Sequence, residues 1–384
     1  MNILGIYGSI GWDGNISTNP ELVGDLWCHG SGATLIMNGE LKTAINEERF
    51  SRIKYDGNYP KLSIQNILDH NKLTKYDIDL VVYVGNSCRI SFELKQSGYI
   101  KNKIQEYFPN CKVDFLSHHM AHSAATYYTS DFDEANILSF DAAGDHELQK
   151  NGKWYCSHFK FSQGKDLTLT ELHSDYLEFS NSFGGFYCSL SQIAYAIKMN
   201  PLEDIKRPLS EEGLIKFGPD RESSPGKIMG LAAFGNYQKI DLPEWFNIEK
   251  KEKERFLQLD SSQELWDIPY KELLCLNPDD LAAWSQHQFE KYLLLFLSQI
   301  PKKIKRDNLC LGGGCALNII ANSKIIEQGI YKNVHVNTAP NDDGLHFGAA
   351  LYKAAEYENE IILPDDIGYL GIPYTDEDIE LALC

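Results

Sequence analysis

The fold is constrained most by a module that occurs twice: a strand, a loop rich in glycine or aspartate, and a β-hairpin. In the first copy the runs GATLIM and ELKTAI flank Asn38-Gly39, after an initial strand NILGIY. In the second copy HELQK and KWYCSHFKF flank Asn151-Gly152, after ANILSFDAAGD. Asn-Gly between β-type runs is a strong hairpin signal. The copies share this pattern but little residue identity, so we predict two halves of similar architecture.

Helical patterns alternate with these strands. Helices are expected at about Lys61 to His70, at Ser191 to Ile197, and in the amphipathic run from Asp279 to Ile300. Two later segments each read as strand, loop and helix; the first contains LGGGCALN and closes at Gly329, and the second contains NDDGLHFGAAL. This alternation predicts an α/β protein with two lobes, a cleft between them, and ligands at the carboxyl ends of the strands.

The bulk composition excludes several classes of protein. The chain has 384 residues and a formal net charge of −18, which disfavours nucleic acid as a partner; its densest basic stretch is PKKIKRD. No apolar run approaches the ~20 residues of a membrane span, and the first residues lack the pattern of a signal peptide. Nine cysteines without CxxC pairs predict a reducing, cytoplasmic setting rather than a disulfide framework or a structural zinc site.

The stretch SHHMAHSAATYY is unusually rich in histidine for a chain with 11 histidines. If it is helical, His118 and His122 lie four apart on one face, where two imidazoles can bind one metal ion. The alternative is a pair of capped or half-buried histidines without a ligand.

Asp141 and Asp342 each lie where a strand gives way to a loop that contains glycine. Singly, each is more often a cap or turn residue. Together with His118 and His122 they would complete a site of two nitrogens and two oxygens. That set suits iron, manganese or zinc better than magnesium or calcium.

Other candidates have two readings each. The glycines Gly312 to Gly314 fit a nucleotide turn or a tight structural turn equally well, and they match neither GxGxxG nor a Walker loop. His29 is either a loop residue or a general base. Arg52 and Lys54 can hold an anionic donor, although the sequence favours solvated side chains. Lys227 precedes a helix start with small residues that permit close packing to a ligand or a helix.

Seven stretches together resemble the O-carbamoyltransferases of natural-product biosynthesis, the family of the tobramycin, nodulation-factor and cephamycin carbamoyltransferases. They occur in the family's order and run from the N-terminus to about residue 355. The matching stretches are HGSGATLIMNGE, NEERFSRIKYDGNYP, HHMAHSAATYY, LSFDAAGD, PGKIMGLAAFG, LGGGCALN and NDDGLHFGAAL.

The resemblance implies an actin- and hexokinase-like fold (ASKHA), shared with the tRNA threonylcarbamoyl transferase subunit. It implies that His118, His122, Asp141 and Asp342 bind a metal ion beside ATP with Mg²⁺ or carbamoyl-adenylate. From the donor set we expect Fe(II) or Mn(II) in preference to zinc. It implies that His29 deprotonates the acceptor. The nucleotide-binding set that we expect is Gly144, Lys227, Gly312, Gly313, Gly314 and Asn318, and the substrate-binding set is Arg52 and Lys54.

Three departures from the family pattern matter. The insertion GWDGNISTNPELVGDLW before His29 is expected to line the acceptor site. Ser223 stands where tobramycin-type relatives have an acidic residue, so we expect Glu222 to act as the second catalytic base. The chain stops at Cys384, where relatives continue into a domain that makes carbamoyl-adenylate from ATP and carbamoyl phosphate. We therefore expect an adenylating domain or subunit in trans.

The sequence thus predicts a first actin-like lobe at residues 1–130 and a second lobe at 131–355, which contains an inserted segment at about 200–280. Residues 356–384 would be a linker towards the adenylating domain. The predicted activity is transfer of a carbamoyl group from carbamoyl-adenylate to a hydroxyl of a small-molecule acceptor. The alternatives are a catalytically reduced nucleotide-binding subunit and a sugar kinase-like enzyme of the same fold, although kinases of this fold do not need a HxxxH metal pair.

Overall fold

Two mixed β-sheets form the framework of the chain in a computed structural model, which describes residues 1–9, 28–85, 95–148, 154–177, 182–199, 224–247, 260–261 and 263–383. The strands are β1 (Asn2–Tyr7), β2 (Gly32–Met37), β3 (Glu40–Asn46), β4 (Leu80–Val84), β5 (Lys112–Leu116), β6 (Glu134–Phe140), β7 (His146–Leu148), β8 (Trp154–Lys165), β9 (Thr168–Leu177), β10 (Phe246–Asn247), β11 (Asp260–Ser261), β12 (Asn308–Gly312) and β13 (Asn333–Val336). The helices are α1 (Glu48–Ser51), α2 (Lys61–His70), α3 (Tyr99–Tyr107), α4 (His118–Tyr128), α5 (Phe183–Met199), α6 (Ser224–Leu231), α7 (Gln263–Trp266), α8 (Tyr270–Leu273), α9 (Pro278–Ser298), α10 (Ile319–Glu327), α11 (Leu345–Tyr357) and α12 (Asp376–Leu383).

The first sheet has the strand order β3-β2-β1-β4-β5. Strand β1 pairs antiparallel with β2 and parallel with β4, and β4 pairs parallel with β5. The predicted hairpin joins β2 and β3. Its turn residues Asn38 and Gly39 both have positive φ, at 50° and 82°, as Asn-Gly hairpin turns require.

The second sheet has the order β13-β12-β6-β8-β7, with β9 added on β8. Strands β6, β12 and β13 are parallel, and β8 pairs antiparallel with both β6 and β7. The second hairpin is therefore confirmed, although its turn at Asn151-Gly152 lies outside the described residues. The two modules differ in one respect: β1 pairs with the first strand of its hairpin, whereas β6 pairs with the second.

The predicted helices are present with some changes of length. Helix α2 begins and ends at the predicted residues. Helix α9 begins at Pro278, one residue before the predicted Asp279. The Asn277 side chain caps it by accepting hydrogen bonds from the backbone amides of Asp279 and Asp280. Helix α5 starts at Phe183, well before the predicted Ser191, and Gly184 in its first turn lies against the backbone of Ala142. Of the predicted insertion at 200–280, the described part forms α6, β10, β11, α7 and α8.

Two helices lie between the sheets. Helix α4 packs on the second sheet through β6, β8 and β12, and α11 packs on the first sheet through β1, β2 and β4. The helices contact each other so closely that a Cβ on Gly348 would lie 1.9 Å from the Ala121 carbonyl oxygen. The range 131–355, predicted as the second lobe, thus includes a helix that packs on the first sheet. The small residues of α11, Ala349, Ala350 and Ala354, are buried in the same core as Ile3 of β1.

Helices also cover the outer faces of the sheets. Side chains of β1 alternate between the two faces, so that Leu4 and Ile6 pack towards α2 and α3. Helix α9 contributes Phe289 and Phe296 to the core on the outer side of the second sheet. Among the described residues, no helix combines the length and apolar character that crossing a membrane requires.

Candidate active site

Four side chains predicted as metal ligands lie together between the two sheets. One ligand atom from each of His118, His122, Asp141 and Asp342 lies within 4.8 Å of the others. The two Nε2 atoms are 3.1 Å apart. Both face Asp342 Oδ1, at 3.5 Å and 3.4 Å, and Asp141 Oδ2, at 3.9 Å and 3.4 Å. The predicted convergence of two imidazoles with two carboxylates is thus present in the structure.

The histidines lie one turn apart at the start of α4, a helix that is buried on all sides from His118 to Tyr127. The side chain of Ser117 does not cap this helix. Asp145, in the loop before β7, does so by accepting a hydrogen bond from the His118 amide at 2.9 Å. An aspartate of the second sheet therefore fixes the end of the helix that presents both imidazoles.

Asp141 follows the last residue of β6, and two backbone amides hold its carboxylate. Oδ1 accepts from Ala142 N at 2.7 Å, and Oδ2 accepts from Gly314 N at 2.8 Å. Because β6 and β12 are parallel neighbours, their carboxyl ends bring Asp141 and the glycine turn together. We call the group of His118, His122, Asp141 and Asp342 the metal-ligand cluster. The glycine turn therefore contacts this cluster through Asp141.

The glycine turn has a structural requirement for glycine at Gly313. Its backbone has φ 87° and ψ 163°, a region that only glycine adopts readily. A Cβ at this position would lie 2.2 Å from the Phe140 carbonyl oxygen. The tight-turn reading therefore explains Gly313 by itself, and a nucleotide role for the turn stays a prediction.

Gly313→Ala is expected to lower the free energy of unfolding by at least ~1–3 kcal/mol, because it adds backbone strain and a steric clash. Urea denaturation of the chain measures this change. Gly230→Ala is the matched control, since a Cβ on that helical glycine meets no atom within 4 Å. It should be neutral or stabilising by roughly 0.5–1 kcal/mol. Equal stability of the two variants would contradict the strained turn.

Asp342 begins a short 3-10 turn after β13. Its Oδ1 faces the two histidines, and the Tyr7 hydroxyl holds its Oδ2. Tyr7 is fully buried at the carboxyl end of β1, and it donates a hydrogen bond to Asp342 Oδ2 at 2.8 Å. Sequence reasoning missed Tyr7, because a tyrosine in an apolar strand resembles any core aromatic residue. The only sequence signal is its place at the end of a strand, directly before Gly8.

His29 lies beside the same oxygen. Its Nε2 is 3.7 Å from Asp342 Oδ2, and its side chain is 31% exposed, so it faces both the cluster and solvent. The neighbouring Gly30 has φ 74° and packs directly on Asp343, which brings this loop against the 3-10 turn. The ring of Tyr55 meets the His29 ring edge to face, with centroids 6.4 Å apart. The structure thus places the predicted base next to the predicted metal ligands.

The charges of the cluster are strongly coupled. Burial lowers the pKa of His122, but hydrogen bonds and charge from Asp141 and Asp342 outweigh it and raise that pKa to about 9. Burial raises the pKa of Asp141, yet His118 and His122 hold it well below its usual range. Against a similar burial penalty, His118 and His29 lower the pKa of Asp342 to about 2. Both carboxylates therefore keep their negative charge beside the imidazoles, and a metal ion that binds there would displace the proton of His122.

The donor set fits a transition metal ion. Metal–ligand bonds of about 2.0–2.2 Å in a tetrahedral site place ligand atoms roughly 3.3–3.6 Å apart. The nitrogen–nitrogen and nitrogen–oxygen distances of the cluster, 3.1–3.9 Å, bracket that range. The Nδ1 atoms of His118 and His122 are buried and have no hydrogen-bond partner among the described residues, so packing holds the ring orientations. His119 points elsewhere, and its pKa is lowered well below the usual value, chiefly by burial.

The other predicted site residues have varied surroundings. Gly144 is buried, and a Cβ there would lie 3.0 Å from His119 Nε2. The Asn318 side chain caps α10 by accepting from Ala321 N at 3.1 Å, and it exchanges hydrogen bonds with Gln286 at 2.9 Å and 3.0 Å. These contacts support a structural role for Asn318.

Three basic candidates are exposed. Lys227 lies on α6, which packs on α5 and α9, and Arg52 follows α1 in a left-handed conformation with φ 60°. The Lys54 ammonium lies 4.9 Å from the centre of the Tyr55 ring, the ring that also contacts His29. Glu222 and the insertion before His29 lie outside the described residues.

Solved structures identify the fold. HypF in its phosphate- and nucleotide-bound form superposes with a TM-score of 0.53 at 13% identity, over 94% of this chain and 56% of HypF. The HypF of T. kodakarensis gives a TM-score of 0.51 at 14% identity, over 92% and 48% of the two chains. The chain has the predicted α/β, actin- and hexokinase-like fold.

Sequence relatives agree with the predicted family. An uncharacterized protein of Synechocystis sp. is 26% identical over an alignment that covers 92% of this chain and 61% of that protein. Nodulation protein NolNO of Sinorhizobium fredii is 24% identical over 380 residues, with coverage of 93% and 50%. Nodulation protein U of Azorhizobium caulinodans is 49% identical over 91 residues, which cover 22% of this chain and 15% of that protein.

These relatives are longer proteins, and the chain spans about half to three fifths of the two that it matches over most of its own length. A protein-family model described as carbamoyltransferase N-terminus matches residues 104–351, a range that includes all four residues of the metal-ligand cluster. Since that match covers more than half of the chain, the protein belongs to the carbamoyltransferase family and contains its N-terminal domain.

Proposed function

We propose that the chain transfers a carbamoyl group from carbamoyl-adenylate to a hydroxyl group of a small-molecule natural product, such as an antibiotic precursor. The observation that carries this proposal is the convergence of His118, His122, Asp141 and Asp342 within 4.8 Å, beside His29 and the glycine turn. A site with ligands, a base and a turn for the nucleotide has the parts that acyl transfer needs.

The cluster would hold Fe(II) or Mn(II), in preference to zinc, through two imidazole nitrogens and two carboxylate oxygens. When bound, such an ion supplies positive charge that stabilises negative charge developing on the carbamoyl oxygen. The glycine turn, Gly312 to Gly314, would lie along the adenylate, because it adjoins the cluster where Gly314 N donates a hydrogen bond to Asp141 Oδ2. ATP with Mg²⁺ and carbamoyl phosphate would be the precursors of the adenylate.

His29 would accept the proton of the acceptor hydroxyl. Its partly exposed ring next to the buried Asp342 suits a group that must contact both the cluster and an entering molecule. The acceptor oxygen forms a bond to the carbamoyl carbon, and the bond from that carbon to the bridging phosphate oxygen breaks. AMP leaves with the electron pair, and the proton remains on His29. Arg52 and Lys54, exposed in the segment that contains Tyr55, would attract the anionic donor.

The donor step can be tested separately from the transfer step. The compound 5′-O-(N-carbamoylsulfamoyl)adenosine has the shape of carbamoyl-adenylate, but a stable sulfamate replaces its phosphate linkage and it transfers nothing, so calorimetry with the metal-loaded chain measures binding alone. We expect it to bind more tightly than AMP. The absence of binding in a chain that does contain metal would overturn the proposed donor.

Transfer is tested with isotopically labelled carbamoyl phosphate, ATP, Mg²⁺ and a panel of sugars, polyketides and alkaloids, followed by mass spectrometry. The reaction is run with the chain alone and with an adenylating protein added in trans. Label in an acceptor as a carbamate supports the proposal. Phosphorylated acceptor with release of ADP would instead indicate a kinase.

A further inference from the structure

The two oxygens of Asp342 have different neighbours. Oδ1 faces the imidazoles, 3.5 Å from His118 Nε2 and 3.4 Å from His122 Nε2. Oδ2 accepts the hydrogen bond of the Tyr7 hydroxyl at 2.8 Å and lies 3.7 Å from His29 Nε2. One carboxylate therefore contacts both the metal-ligand cluster and the base, through separate atoms.

We propose that Tyr7 is a positioning residue that keeps these two contacts of Asp342 apart. It reserves Oδ1 for the metal ion and holds Oδ2 beside His29, so that Asp342 binds the ion through one oxygen and orients the base through the other. This inference rests on the proposed function, since it assumes that the cluster binds a metal ion.

The physical reason is that the carboxylate of an aspartate rotates easily about the last side-chain torsion. Rotation of a carboxylate about its last torsion is broad and roughly two-fold, so the torsion itself does not decide which oxygen faces the histidines. A hydrogen bond to a charged group is stronger than one between neutral groups, and it is enough to select one orientation. Without Tyr7, Asp342 could present both oxygens to the ion or turn Oδ2 fully towards His29.

Tyr7 is well suited to hold that orientation because it cannot move easily. Its ring is fully buried in the core between β1 and the two central helices, together with Ile3, Met120 and Phe347. Strand β1 lies in the middle of the first sheet, paired on both edges. The hydrogen bond also joins residues that are 335 positions apart, so it ties the first strand to the turn before α11. A rigid donor of this kind acts on the ligand from the outer shell of the site.

The test is Mn²⁺ binding followed by electron paramagnetic resonance in the full chain, with wild type, Tyr7→Phe and Tyr331→Phe. Tyr331 is the matched control, since its hydroxyl is also buried and bonds to Asn136 Oδ1, in the second sheet. Tyr7→Phe should weaken Mn²⁺ binding by about 10–100-fold, as loss of an outer-shell partner typically does. It should also change the spectrum of the bound ion. At saturating Mn²⁺, kcat should stay reduced while KM for the donor is unchanged. Tyr331→Phe should bind Mn²⁺ like wild type.

Two further variants keep the test decisive. Replacing Tyr7 with 4-aminophenylalanine restores a donor at the same position and should recover most of the affinity. If Tyr7→Phe does not fold, 4-fluorophenylalanine fills the space of the hydroxyl without donating and serves as the second non-donor. A non-donor variant with wild-type affinity and spectrum overturns the inference. Failure of the wild-type chain to bind any first-row ion overturns the proposed metal site instead.

Discussion

Replacing His122 with Ala is expected to release the bound metal ion and to abolish carbamoyl transfer. The variant keeps Asp141 and Asp342 as buried carboxylates but removes the imidazole that faces both at 3.4 Å. One nitrogen and two oxygens then remain for an ion that we expect to need both histidines. Elemental analysis of protein purified without chelator should find about one first-row ion per chain in wild type, iron or manganese before zinc, and far less in the variant.

His119→Ala is the matched control, because His119 is equally buried in the same turn of α4 but is not part of the cluster. It should retain its metal content even if the smaller side chain lowers stability. His118→Ala should behave like His122→Ala. Wild-type metal content and activity in both His118→Ala and His122→Ala would show that the assigned site is wrong.

Replacing His29 with Ala should reduce turnover by about 10²–10⁴-fold, which is the usual contribution of a positioned general base. Affinity for the adenylate analogue should stay near that of wild type, because His29 contacts the cluster from the solvent side and donates no ligand to it. Single-turnover assays and calorimetry on the same preparations separate the two effects.

His70→Ala provides the comparison for His29→Ala, since His70 is an exposed histidine at the end of α2. It should be indistinguishable from wild type in turnover and in binding. If His29→Ala turns over within twofold of wild type, His29 is a loop residue. The candidates for the base are then Glu222 and Asp13, which belongs to the insertion before His29.

The convergence of the two imidazoles with the two carboxylates was predictable from sequence because each side chain has a positional signal. The spacing of His118 and His122 puts them on one helix face, and Asp141 and Asp342 follow β6 and β13, parallel strands of one sheet whose carboxyl ends lie at the same edge. Tyr7 was not predictable, because its role depends on a contact across 335 positions. The packing of α11 on the first sheet was missed because tertiary contacts decide it. The capping role of Asn318 was missed although its signal is local, since an asparagine directly before a helix commonly caps it.

The packing of α11 also implies an order of events in folding. Side chains of β1 and β4 that face inward, such as Ile3, Leu80 and Val82, share one core with Leu345 and Leu351 of α11. During synthesis that apolar surface lacks the part of its cover that α11 provides until the ribosome has released residues 345–357, long after the strands themselves have been made. The same docking step brings Asp342 to Tyr7 and to the two histidines. Ions that bind only the finished site will stabilise the complete fold by mass action and will not stabilise its earlier intermediates. The rate at which a refolding chain takes up metal ions will therefore report the rate of the last folding step.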